Sequence, residues 1–461
     1  MDLLIVLGAL AFLMFVAYRG YSVILFAPIA ALGAVLLTDP SLVPPMFSSV
    51  FMEKMVGFIK NYFPVFMLGA VFGKVIELSG FSKSIVAAVI GVLGRERAVL
   101  SIVVVCAILT YGGVSLFVVV FAVYPFAAEM FRAGDIPKRL IPATIALGAF
   151  SFTMDALPGT PQIQNIIPTT FFNTTTWAAP VLGLVGSVFV LVVGLAYIES
   201  RRKAAQNGGE GYGTELLNEP EPFDDKNLPN PWIALLPLVV VGVMNFALTF
   251  VIPRAYGAKH EITLGAKPIV TQIGSVAAIW AVEGALLLGI LTVFAFAWRP
   301  VLARFADGSK AAVAGALLAS LNTASEYGFG GVIALLPGFK SVSSLLSSIP
   351  NPLINEAVSV TVLAGITGSA SGGMSIALAA MSDSFIAAAK EANIPLEVFH
   401  RVAAMASGGM DTLPHNGAVI TLLAVTGLTH RQAYKDVFVI TLTKTAAVFV
   451  AIGVFYLTGI Y

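Results

Sequence analysis

The chain has 461 residues, 58% hydrophobic and 11% charged, with a mean hydropathy of +0.91. A soluble domain carries about 25% charged residues, so a water-soluble globule is excluded. The net charge of +1 gives no reason to expect a nucleic-acid partner, and the single cysteine, Cys106, leaves no intrachain disulfide to form.

Crossing a bilayer takes roughly 17–25 apolar residues of helix, and such runs follow one another along the chain. Spans are predicted over 2–18, 20–38, 57–79, 98–112, 114–131, 139–172 and 178–199. The first is read as a span and not a signal peptide, because no basic region precedes residues 3–17. Residues 200–230, with Arg201-Arg202-Lys203 and a Gly- and acid-rich stretch, read as a solvated linker. Beyond it come 231–252, 275–298, 311–336, 353–370, 373–389, 399–426 and 436–457. Two shorter amphipathic pieces, 81–93 and 341–349, are expected at the membrane interface. The expected fold class is an all-α polytopic membrane protein of about 14 segments, with an N-terminal unit 1–199, a linker 200–230 and a C-terminal unit 231–461.

The two units repeat one another. Met154-Asp155-Ala156-Leu157-Pro158 returns as Met410-Asp411-Thr412-Leu413-Pro414, and Gly112-Gly113-Val114-Ser115-Leu116 as Gly372-Gly373-Met374-Ser375-Ile376. Ile136-Pro137 and Gly80-Phe81 return as Ile394-Pro395 and Gly338-Phe339, all at offsets of 256–260 residues. An odd number of crossings per unit sets the copies upside down relative to each other, the inverted-repeat plan of many secondary transporters. Arg201-Arg202-Lys203 places the linker in the cytoplasm and both termini outside. Arg254, Lys259 and Lys267, in a loop then expected outside, count against that orientation.

Segments 139–172 and 399–426 are each broken, at Asp155–Pro161 and at Asp411–His415. Proline removes a donor and clashes with the preceding turn, and an Asp at mid-membrane costs roughly 2.5–3.5 kcal/mol. The freed carbonyls and amides must be satisfied by something, such as water, an ion or a substrate. Thr153, Thr160, Gln162 and Asn165 add polar groups to the first break, and His415 and Asn416 to the second. The plainer reading is two helix–loop–helix connections at the membrane surface, with each Asp an ordinary N-cap.

Gly112-Gly113 with Ser115, and Gly372-Gly373 with Ser375, permit close approach of a ligand to backbone and free helix amides. Close helix packing through small residues is the competing account. Asn322-Thr323-Ala324-Ser325-Glu326 is polar only in the second unit. Asn322 and Ser325 therefore join the candidate substrate contacts, and Glu326 is a candidate proton carrier beside Asp155, Asp411 and His415; its structural alternative is pairing with Lys74 or Lys444. No intramembrane arginine is read as holding an anion permanently, so a co-transported proton would balance the charge. The four histidines show no metal-ligand spacing and no loop cradles a phosphate, so no metal, cofactor, ATP-driven step or enzymatic activity is expected.

Tyr111-Gly112-Gly113-Val114-Ser115, Met154–Pro161, Asn322–Gly328 and Met410–Asn416 together resemble the gluconate permease (GntP) family of the ion-transporter superfamily. The resemblance implies a bacterial inner-membrane proton symporter for small hydroxy-monocarboxylates: gluconate and other sugar acids, D-serine or 3-hydroxybutyrate. It also implies a homodimer with a scaffold part and a moving transport part. Leu157-Pro158-Gly159-Thr160 departs from the His-Pro-Gly expected of sugar-acid members and points away from gluconate towards 3-hydroxybutyrate. Import of such an anion with a proton, or with Na⁺, is the leading expectation. A Na⁺/H⁺ antiporter built on the two Asp residues is the alternative, and a channel the third.

Overall fold

The computed structural model describes the whole chain except residues 20, 214–216, 221–227, 264–267, 340, 342–348 and 415. Lipid offers backbone groups no partners, so the apolar runs satisfy themselves as helices. The first unit runs α1 (Asp2–Tyr18), α2 (Val23–Thr38), the long α3 (Pro40–Leu78), α4 (Phe81–Leu93), α5 (Ala98–Tyr111) and α6 (Leu116–Ala133). It continues with α7 (Ile141–Ala149), the single turn α8 (Phe152–Asp155), α9 (Ile163–Phe172) and α10 (Pro180–Asn207). The second unit holds α11 (Pro231–Tyr256), α12 (Ile273–Leu335), α13 (Pro352–Thr367), α14 (Ala370–Glu391), α15 (Leu396–Gly409), α16 (Gly417–Thr426) and α17 (His430–Thr458). Among the described residues, α3, α10, α11, α12, α14 and α17 are long and apolar enough to cross a membrane. The chain is a polytopic helical membrane protein.

Some boundaries depart from expectation. α3 starts at Pro40 instead of residue 57, because Asp39 caps its first turn by accepting from the Ser41 amide. A π-turn at Phe47–Phe51 carries the helix past Pro44 and Pro45. The segments expected at 275–298 and 311–336 join as α12, bent at Ala297 (φ −138°, ψ 34°). Pro300 then falls in the first turn after the bend, where its missing N–H is no loss. The part of α12 after the bend packs along α3, with Gly308 against Leu78, Gly328 against Phe51 and Gly331 against Lys54.

One element is not helical. β1 (Lys259–Ile262) pairs antiparallel with β2 (Ile269–Gln272), Lys259 opposite Gln272 and Ile262 opposite Ile269. This small hairpin occupies the loop between α11 and α12. Most of the interfacial piece expected at 341–349 lies outside the described residues.

The linker is not simply solvated. Arg139 donates to both Glu210 carboxylate oxygens at 2.6 and 2.8 Å, Lys138 pairs with Glu219 at 2.7 Å, and Asn218 donates to the Ala424 carbonyl at 2.7 Å. Its acids thus meet basic residues at the α6–α7 turn, and composition alone does not show that match. At the same end, Asp436 on α17 accepts from Arg139, Arg201 and Tyr197 at 2.9, 2.9 and 2.7 Å.

Candidate transport site

The first break lies between α8 and α9. Gly159 turns there with φ +76°, and its Cα rests on the Trp177 ring, where a Cβ would overlap it. Protein side chains answer the carbonyls that the break frees. The Thr160 hydroxyl donates to Thr153 O at 2.7 Å, Tyr111 to Pro158 O at 2.9 Å, Asn165 to Thr160 O at 3.0 Å and Asn245 of α11 to Gly159 O at 2.9 Å. Gln162 reaches out of the break to Thr110 O at 2.7 Å. At the first break the protein itself supplies these partners.

The largest contribution is one that sequence reading missed. Arg401 on α15 is fully buried and spends all five N–H groups on the first break, on Asn165 of α9 and on the α9–α10 connection. Nη1 donates to Asp155 O (3.0 Å) and Asn165 Oδ1 (2.9 Å). Nη2 reaches Ala178 O (2.7 Å) and Thr176 O (3.4 Å), and Nε reaches Ala178 O (3.1 Å). The protein interior therefore holds an arginine, with its donors taken by backbone and Asn165. Its neighbour His400 bridges Thr174 Oγ1 (2.6 Å) and Asn165 Oδ1 (3.2 Å).

The second break follows α15. Asp411 Oδ1 accepts from Asn416 Nδ2 at 2.9 Å and from the Ala370 amide at 3.4 Å. Asn416 also donates to Gly368 O at 2.8 Å and caps α16 by accepting from the Ala418 amide at 2.7 Å. Thr441 and Tyr434 of α17 hold the Thr412 residue from the other side. Neither Asp155, the last residue of α8, nor Asp411, in the turn after α15, is the N-cap residue of the helix that follows its own break, although Asp411 accepts from the first amide of α14. His415 lies outside the described residues.

The two breaks meet. The Asp155 carboxylate rests on Gly408, in the last turn of α15 just before the second break, so closely that a Cβ at 408 would overlap Oδ2. Asp155 and Asp411 are 5% and 7% exposed, so neither lies on an open surface. A second buried cation, Lys444 of α17, donates to Phe150 O at 2.5 Å and interacts electrostatically with both acids.

The glycine pairs differ between the units. Gly112 and Gly113 form the α5–α6 turn, with Gly113 at φ +95°, and face Leu238 and Leu286. Ser115 takes the N-cap position of α6 without a side-chain cap bond. Gly372 and Gly373 instead lie in the first turn of α14, which Ser369 caps, so that α14 begins earlier than expected. Gly372 leaves room for the Glu326 carboxylate and Gly373 for the Ala364 backbone. Glu326 therefore pairs with neither Lys74, which binds Glu77 at 3.0 Å, nor Lys444. Among the described residues, Glu326 Oε2, Ser325 Oγ on the same helix and Ser375 Oγ on α14 are buried without a hydrogen-bond partner. Asn322, one turn before Glu326, is half-buried. Glu356 on α13, which sequence reading passed over, is wholly buried with neither oxygen partnered among the described residues.

Two apolar grooves of about 550 and 600 Å³, between α11 and α12 and between α1 and α2, hold none of these residues. Both acids are buried, while Leu413 and Pro414 of the second break are partly exposed.

Two interrupted helices meeting inside a helical membrane protein, with buried acids and cations at the junction, are the build of a membrane transporter, and this chain is one. It belongs to the family of the uncharacterized transporter YxjC of Bacillus subtilis (strain 168), to which it is 59% identical over 471 residues, covering all of both chains. Among solved structures it is similar in fold to the Alcanivorax borkumensis YdaH transporter, described as having an unusual topology. That likeness has 15% identity and a TM-score of 0.50, and covers 92% of this chain and 90% of that one. No family model matches the chain.

Proposed function

We propose that the protein imports a small hydroxy-monocarboxylate, such as 3-hydroxybutyrate or a sugar acid, together with a proton across a bacterial inner membrane. The observation that carries this reading is the meeting of the two breaks, where Asp155 lies on Gly408 and Lys444 stands by both acids. A net-neutral load of anion plus proton crosses hydrocarbon at far lower cost than the bare anion. The hydroxyls of Ser325 and Ser375, unpartnered among the described residues, supply donors suited to a hydroxy acid. Asp155, Asp411 and Glu326 are the proton carriers in this scheme, and the two units are inverted repeats that rock about the junction. The resemblance to gluconate permeases supports the same substrate class and a homodimer.

Uptake of labelled 3-hydroxybutyrate, lactate and gluconate into proteoliposomes, with and without an inward proton gradient, tests the proposal. Accumulation driven by the gradient is expected; no accumulation of any acid refutes it. Asp411→Asn should abolish uphill uptake, and Glu326→Gln should weaken its pH dependence while leaving exchange. The Asp155–Asp411 juxtaposition also suits a Na⁺/H⁺ antiporter. Collapse of a pH gradient on adding Na⁺ without organic acid would favour that instead.

A further inference from the structure

Two cations lie buried at the junction, and they are not equivalent. Arg401 has no N–H left over. Lys444, 3% exposed, makes one hydrogen bond among the described residues, to the Phe150 carbonyl, and so keeps two of its three N–H groups free. Its position touches both breaks. Phe150 leads into the first. Thr441 and Thr445, three residues before and one after Lys444, lie against Thr412 and Gly409 of the second.

A lysine this deep needs a counter-charge. The charged groups that act on it are Asp155 and Asp411. Asp411 is already tied by the Ala370 amide and Asn416. Asp155 is influenced by Lys444, Asp411 and Arg401, and its carboxylate leans on a glycine. On α17 itself the next acid towards the linker, Asp436, is about 12 Å away along the helix and is engaged by Arg139 and Arg201. No salt bridge closes between Lys444 and either carboxylate among the described residues. The junction thus holds a cation with free donors, one fixed acid and one less constrained acid.

Resting on the symport reading above, we propose that Lys444 is the group that receives the substrate carboxylate, and that Asp155 competes with the substrate for it. With Asp155 ionised, Lys444 serves as its counter-ion. When a proton adds to the Asp155 carboxylate, that charge is lost and Lys444 is left to pair with the entering organic anion. Charge balances in both states: ammonium with aspartate, or ammonium with substrate carboxylate and a neutral Asp155. Proton and anion therefore bind together because they exchange places around a single ammonium.

The test is equilibrium counterflow of 3-hydroxybutyrate, lactate and gluconate by the full-length protein in proteoliposomes, with no gradient, between about pH 5 and pH 8. Wild type should show a KM that rises with pH, approaching about tenfold per unit where binding requires one proton. Lys444→Gln should lose counterflow by at least about tenfold. Asp155→Asn, which removes the competitor, should lower KM at the alkaline end and flatten its pH profile. A Lys444→Gln protein that exchanges with wild-type KM overturns the proposal, as does an Asp155→Asn protein that keeps the wild-type slope. If Lys444→Gln does not yield a monodisperse protein, the Asp155→Asn profile decides alone. Wild type exchanging none of the three acids overturns the symport reading and this proposal with it. Wild-type exchange with an unaltered Lys444→Gln overturns only this one.

Discussion

Replacing Arg401 tests the claim that the first break is held by a side chain from the other unit. Four acceptors receive its five hydrogen bonds, but two have other donors: Thr176 O takes the Gly159 amide (2.9 Å) and Asn165 Nδ2 (2.8 Å), and Asn165 Oδ1 faces His400. Asp155 O and Ala178 O rely on Arg401 alone among the described hydrogen bonds. Arg401→Met therefore strands two buried carbonyls, and at about 1–3 kcal/mol each the loss is about 2–6 kcal/mol. Arg401→Lys has one terminal nitrogen and can serve only one of the two sites, so it should lose about 1–3 kcal/mol. Thermal unfolding in detergent, followed by tryptophan fluorescence, reads this directly, because Trp177 packs on Gly159 of the break. The expected order of melting is wild type, then Lys, then Met. Wild-type melting of Arg401→Met would refute the reasoning.

Asp436 is nearly inaccessible, but Arg139 and Arg201 are 21% and 30% exposed. Water screens part of the loss in Asp436→Asn, so we expect about 1–3 kcal/mol, less than for a fully buried pair; chemical denaturation measures it, and no change counts against the clasp. Glu356→Met removes two buried oxygens unpartnered among the described residues and should raise stability by about 1–3 kcal/mol. If it does so while transport is lost, Glu356 is retained for function; a destabilised variant means that the carboxyl has a partner after all. Glu210 lies below its ordinary 4.5 because Arg139 hydrogen-bonds it, with burial opposing. A depressed carboxyl stabilises above its unfolded value and loses that contribution as pH falls through the folded one. Protease cleavage in the linker should accordingly rise as pH drops below 4.5, and a flat profile would refute a role for the Arg139–Glu210 pair in docking it.

The helical membrane class and the paired breaks were legible in the sequence, because hydropathy and proline placement act locally. Arg401 was not: it stands in the apolar run Val398–Met405, near the edge of a predicted span, and reads as an interfacial charge. Lys444 was noticed only as a possible mate for Glu326, yet Gly372 brings Glu326 against α14 instead. Asn245 and Glu356 passed unremarked for the same reason, since their partners, or lack of them, depend on distant segments. Marking every ionisable residue inside a twenty-residue apolar window would have raised Arg401, Lys444 and Glu356 together. The β-hairpin and the docked linker were invisible because charge composition does not reveal which residues face each other.

The first break is completed by Asn245, Arg401 and Lys444, all downstream of the linker. A ribosome adding roughly 5–20 residues per second delivers Lys444 well over ten seconds after Phe150. For that interval the nascent N-terminal portion must wait in the bilayer with polar backbone uncovered. Its translation order thus makes the early portion a client that only the late portion can finish, and a fragment ending at residue 230 is expected to be cleared by quality control unless the remainder is supplied alongside it.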